Sequence, residues 1–307
     1  MPSTHLVDPE LLPALEAFTP ITLATENLPA LRAASAQAFA AIQAPDLPVT
    51  VETLTIPGPL RILAYRPATA AGPLPAILHF HGGGYVLGAP EMMDSANRTL
   101  AAELGCAVFA LAYRLAPETP APGAVEDAYA ALTYLAAHAG ELQIDPARIG
   151  IKGESAGGGL AAALALLARD RGGVQPAFQH LIYPMIDDRT TTHPFAGEFI
   201  WTPELNQFGW AALLGHAPGA PHISPYAAAA RAENLAGLPP AYIATGALDL
   251  FVEENLEYAR RLLRAGVPVE LHVYPGAYHG FDVFPGARVV TAAIRDSTEA
   301  LRKAMFG

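Results

Sequence analysis

Cysteine, lysine and charge are all scarce in this 307-residue chain: one cysteine, two lysines, and charged residues at 15%. A single cysteine excludes an internal disulfide, and its place in the apolar run Cys106-Ala107-Val108-Phe109-Ala110-Leu111 predicts a buried structural thiol. Basic residues number 18 against 29 acidic ones, a formal charge of -11 that disfavours phosphate backbones and anionic membrane surfaces. No nucleic-acid partner is expected. The longest apolar stretch, 156–168, is too short to span a bilayer, so no membrane association is expected either. The N-terminus has neither a basic region nor an apolar core of the secretory type, which predicts a cytoplasmic protein. His79-x-His81 is followed by no further ligand at metal-binding spacing, and no glycine-rich phosphate fingerprint occurs, so neither a metal nor a cofactor is expected.

What is present is apolar sequence: hydrophobic residues make up 52%, enough for the large core of an enzyme-sized globular protein. Two helical patterns, 10–18 and 26–43, precede an antiparallel hairpin of alternating apolar positions, 49–56 and 60–65, turned at Pro57-Gly58-Pro59. Short, mostly non-alternating apolar runs follow at 76–80, 107–112, 148–151, 180–183, 241–245 and 269–274, as buried parallel strands read. Helix-length segments at 92–104, 124–138, 156–169, 253–265 and 287–305 separate most of them. The class is therefore α/β with a mainly parallel sheet. One long stretch, 190–225, breaks the rhythm and carries Phe195, Phe199, Trp201, Phe208 and Trp210. Residues 1–45 and 190–225 are expected to cap a single catalytic domain built from 46–189 and 226–307, over the C-terminal strand ends where open α/β sheets bind ligands.

Gly153-Glu154-Ser155-Ala156-Gly157 falls between a strand and a helix, and flanking glycines permit the sharp turn that exposes a serine. A serine hydroxyl is a poor nucleophile, so it needs a base, an acid to orient that base, and donors for the oxyanion. His279 lies directly beyond the last strand, and Asp249 just beyond the strand before it. Asp187 and Asp188 are rival acids, whereas Glu253 and Asp282 read as a solvated helix-start acid and a loop acid. Ser, Asp, His is the chain order of α/β-hydrolases. His81-Gly82-Gly83-Gly84, after the strand 76–80, resembles the HGGG motif of esterases and makes backbone N–H groups available, joined by that of Ala156.

Together, the stretches His81 to Gly88, Tyr113-Arg114-Leu115-Ala116-Pro117-Glu118, Gly153 to Gly158 and Tyr278-His279-Gly280-Phe281 resemble the hormone-sensitive lipase-like family of bacterial carboxylesterases. The resemblance implies an α/β-hydrolase fold with an eight-stranded sheet and a helical cap. It also implies cofactor-free hydrolysis of short to medium acyl or aryl esters by Ser155, Asp249 and His279, with Gly83, Gly84 and Ala156 as the oxyanion hole. The family usually shows Gly-Asp-Ser and Asp-Pro-Leu-x-Asp-Glu. This chain instead has Gly153-Glu154-Ser155 and Asp249-Leu250-Phe251-Val252-Glu253-Glu254, which keeps the acid but loses a turn-setting proline. An amidase or lactonase would use the same residues, a non-catalytic receptor of this fold would lack His279, and acyl transfer to an alcohol would differ only in its product. A homodimer through a sheet edge such as 269–274 is similar to the assembly of relatives, though no residue requires it.

Overall fold

The computed structural model describes residues 3–70, 72–191 and 193–307. Met1, Pro2 and Thr192, which belong to the expected cap stretches, lie outside the described residues. Eight strands form one sheet: β1 (Val49–Ile56), β2 (Leu60–Pro67), β3 (Leu74–Phe80), β4 (Ala107–Ala112), β5 (Ile144–Glu154), β6 (Gln179–Ile182), β7 (Ala241–Gly246) and β8 (Val269–Tyr274). Their spatial order is β1-β2-β4-β3-β5-β6-β7-β8. Only β2 runs against its neighbours; from β4 to β8 every pairing is parallel.

Burial explains why the strands looked so different in the sequence. The central strands β3 and β7 are buried at every position, which is why they read as unbroken apolar runs. The edge strand β1 alternates half-buried and exposed residues. Its hairpin partner β2 does not alternate as expected: it lies between β1 and β4, so both of its faces are largely covered. β5 is also longer than the expected 148–151. Pro146, where β3 and β5 slip register between Leu74 and Ala76, hid its start. The charges of Lys152 and Glu154 hid its end.

Helices α1 (Leu12–Ala17) and α2 (Leu28–Ala41) precede the sheet, and α3 (Asp94–Leu104), α4 (Gly123–Ala137), α5 (Ala156–Arg171), α7 (Val252–Arg264) and α8 (Arg288–Phe306) follow the expected segments within a few residues. Inside the long stretch 190–225 lies α6 (Pro203–Leu214), opened by a proline in its first turn and closed by Gly215 in the left-handed region. The buried residues Leu205, Trp210 and Leu213 of α6 join the main apolar cluster of the sheet. Ser3 donates from both its N–H and its hydroxyl to Glu198, at 2.6 and 2.8 Å. Arg32 of α2 donates to the carbonyls of Val86 and Ala116. Both outlying stretches thus contact the loops at the C-terminal edge of the sheet, or each other. Cys106 is fully buried, and burial pushes its thiol up to about 12. Among the described residues no helix is long and apolar enough to cross a membrane.

Candidate active site

Because β3, β5, β7 and β8 are parallel, the loops that leave their C-terminal ends meet on one edge. Ser155 sits between β5 and α5 with φ 55° and ψ -120°, a conformation costing a non-glycine residue about 1–3 kcal/mol. Packing holds it there. Its N–H donates to the Ile182 carbonyl, and its own carbonyl accepts from Gly159 and Met185. Gly157 must be glycine, since a Cβ there would stand 2.0 Å from the Phe80 carbonyl oxygen. That close approach sets the Ser155 turn against the end of β3, where the His81–Gly84 loop begins.

His279 and Asp249 are brought to this turn as expected. The His279 Nε2 lies 2.9 Å from the Ser155 hydroxyl, and its Nδ1 lies 2.8 Å from an Asp249 carboxylate oxygen. A carboxylate only accepts, so Nδ1 carries the proton and Nε2 is left with its lone pair toward Ser155. The other carboxylate oxygen of Asp249 accepts the N–H of Phe251 at 2.9 Å, forming the turn that the missing proline would otherwise set. Leu248 N–H, bonded to the Ala277 carbonyl, ties the acid loop to the histidine loop. Asp249 is fully buried, and Ser155 and His279 are only 5% and 6% exposed. Rings of Tyr183, Phe251 and Trp201 surround the imidazole at centroid distances of 4.7, 5.2 and 6.2 Å.

The rival acids are committed elsewhere. Asp188 is clamped by Arg231 at 2.7 and 2.8 Å, and Asp187 holds Arg189. Asp282 accepts the Tyr183 hydroxyl at 2.6 Å, and burial raises its carboxyl above the usual range. Gly83 and Gly84 lie in a turn with φ 116° and 60°, and among the described residues neither their N–H groups nor that of Ala156 donates to any protein group. Three unsatisfied donors near Ser155 fit an anion. His81 shapes this loop: its Nδ1 donates to the Gly82 carbonyl at 2.7 Å, its ring stacks on Tyr113 at 4.4 Å, and burial lowers its pKa to about 4. Arg114 and Glu118 are scaffold, bonded to Asp127 and Arg32.

A second carboxylate–histidine pair escaped the sequence reading. Glu154, next to Ser155, accepts from His79 Nε2 at 2.7 Å and from Lys152, and all three are buried. Despite burial, which alone would raise it, the two partners hold the Glu154 carboxyl below the usual carboxylate range. His79 is lowered chiefly by burial, partly opposed by Glu154. The signal was present: Lys152 and Glu154 are two apart on a strand, hence on one face.

A family model of the alpha/beta hydrolase fold matches residues 77–283, two thirds of the chain. The chain belongs to the α/β-hydrolase family. Within that family it is 38% identical over 262 residues to the esterase LipI of Mycobacterium tuberculosis, covering 81% of this chain and 80% of that protein. It is 35% identical over 297 residues to the carboxylesterase NlhH of the same organism, covering 94% and 92%. The solved structure of a bacterial heroin esterase superposes with a TM-score of 0.93 at 41% identity, over 99% of this chain and 100% of that one. This α/β-hydrolase is a carboxylic ester hydrolase of the hormone-sensitive lipase-like type.

Proposed function

We propose that Ser155, His279 and Asp249 are the catalytic triad of this esterase and that Gly83, Gly84 and Ala156 form its oxyanion hole. The observation carrying the proposal is the unbroken hydrogen-bond relay from Asp249 through His279 to Ser155, at 2.8 and 2.9 Å. As the Ser155 oxygen attacks the ester carbonyl carbon, Nε2 of His279 takes its proton, and Asp249 holds the ring and stabilises the imidazolium. The carbonyl oxygen becomes an oxyanion facing the three backbone N–H groups, each contributing about 3 kcal/mol to barrier lowering. The imidazolium then protonates the leaving alcohol as the C–O bond breaks, leaving an acyl-enzyme. Water, deprotonated by the same nitrogen, attacks the acyl carbon and returns Ser155 and the acid.

Short to medium acyl or aryl esters are the substrates this reading favours, supported by relatives called carboxylesterase, arylesterase and heroin esterase. The stretches 1–45 and 190–225 are read as the cap over these residues. The same proposal takes the protein to act in the cytoplasm and to pair through the free edge of β8, where Leu271 and Val273 are over one-third exposed. Hydrolysis of p-nitrophenyl esters from acetyl to palmitoyl tests the chemistry. Turnover peaking at short or middle chains and vanishing in Ser155→Ala is expected, whereas equal rates for both proteins remove Ser155 from the mechanism. Sedimentation at varied protein concentration tests the dimer.

A further inference from the structure

The cap was expected to bring several aromatic residues to the ester site, yet their positions differ sharply. Trp210 is fully buried in the core beside Tyr85, and Phe195 is 55% exposed. Trp201 lies on the candidate oxyanion loop itself. A Cβ added to Gly84 would stand 2.2 Å from the Cη2 of Trp201 and 2.7 Å from its Cζ2, so the six-membered part of the indole lies directly on the Gly84 Cα. The same ring is 6.2 Å from the His279 imidazole, and it is 7% exposed. Trp201 thus stands against both the Gly84 loop and the His279 imidazole, beside the place where an ester carbonyl bound between Ser155 and the Gly83–Gly84 donors would sit.

The backbone around Trp201 is anchored on both sides and strained between. On the N-terminal side, Gly197 N–H donates to the Leu248 carbonyl at 3.0 Å. On the other, Gly209 of α6 packs so tightly that a Cβ there would be 2.8 Å from the Gly84 carbonyl oxygen. Ile200, a β-branched residue, is held at φ 61°, and Trp201 N–H closes a tight turn on the Phe199 carbonyl at 2.7 Å. Such strain persists where neighbours overdetermine it, and here the neighbour it positions is an indole over a catalytic loop.

We propose that Trp201 is the specificity-determining residue of this ester hydrolase. Its indole, fixed on Gly84, is the wall that admits small or flat groups and excludes long or branched ones. The proposal rests on the assignment of Ser155 and its oxyanion hole, and it adds to that reading the residue that sets the size of substrate accepted.

The test uses the full chain and its Trp201→Ala and Trp201→Phe variants. Two series are measured: p-nitrophenyl acetate, butanoate, octanoate and 2,2-dimethylpropanoate on the acyl side, and acetates of phenol and 1-naphthol on the alcohol side. In Trp201→Ala, kcat/KM for the bulkiest member relative to the smallest is expected to rise at least about tenfold in one series, with Trp201→Phe between it and the native chain. Ratios within about twofold of native in both series overturn the proposal. If Trp201→Ala gives no cooperative melt, Trp201→Phe decides, a ratio raised by more than about threefold supporting the proposal and an unchanged one overturning it. Adding Ser155→Ala to each chain separates the two readings. Hydrolysis that survives it overturns the serine assignment, whereas Ser155-dependent hydrolysis with unchanged ratios overturns the role of Trp201 alone.

Discussion

Two buried carboxylate–histidine pairs flank Ser155, and they look alike by distance: Asp249 to His279 at 2.8 Å and Glu154 to His79 at 2.7 Å. Their surroundings separate them. Asp249 and His279 stand on loops beyond the ends of β7 and β8, so the far ring nitrogen projects to Ser155. Glu154 and His79 are members of β5 and β3, their backbones in the ladder, and Lys152 completes their charge balance. One pair has a nitrogen free to move a proton. The other ties the strand that ends just before Ser155 to the strand that precedes the Gly82–Gly84 loop. A histidine beside a carboxylate is therefore no sign of catalysis; what decides is whether its second nitrogen reaches a reacting atom.

Substitution at each carboxylate should break the likeness. Asp249→Asn is expected to lower kcat about 10⁴-fold with little change in melting temperature, because the amide leaves the imidazole in the wrong tautomer. Glu154→Gln should do the reverse. It leaves the buried Lys152 charge without its partner and is expected to cost about 3–5 kcal/mol in denaturant unfolding, while the folded fraction keeps kcat within about tenfold. A Glu154→Gln protein that melts like the native chain but is inactive would make Glu154 part of the reaction.

The first pair was legible in the sequence and the second was not, for one physical reason. Ser155 and Asp249 follow buried strands, whereas His279 follows β8, read as buried but largely exposed at the sheet edge; the glycines around Ser155 and after His81 announced tight turns. Lys152 and Glu154 fell outside the expected strand 148–151, because a lone sequence shows a charge without showing its partner. Of the stretch 190–225, the aromatic content was evident, but not that Trp210 enters the core while Trp201 covers Gly84. That division depends on contacts between residues far apart in the chain. The arginine partners of Asp187 and Asp188 were hidden for a similar reason.

Acid titration sharpens the contrast further. Burial lowers the pKa of His79 in the folded chain, so below about pH 6.5 the unfolded chain binds a proton there that the folded chain does not. The His79 contribution to stability must then fall with pH, by up to about 1.4 kcal/mol per unit until the lowered folded value is reached. A His79→Gln variant lacks this proton. The stability gap between the native chain and the variant, measured by urea unfolding, is expected to narrow as pH drops from 7 toward 5 (about two units). A gap that widens would mean that His79 is charged in the fold.

The smallest effect is expected at a third carboxylate–histidine contact, Glu270 to His272 on the edge strand β8, at 2.9 Å. By distance it matches the other two pairs. Its side chains are 44% and 29% exposed, however, so water and salt screen both partners, and ordering two side chains offsets much of the attraction. Glu270→Gln should change unfolding free energy by less than about 1 kcal/mol and leave ester hydrolysis unaltered. Graded losses at Asp249, Glu154 and Glu270, in activity, in core stability and in neither, would show that burial and the reach of the second nitrogen decide what such a pair does. A large loss at Glu270 would instead point to β8 as a buried interface, the edge through which a second copy of the chain would pair.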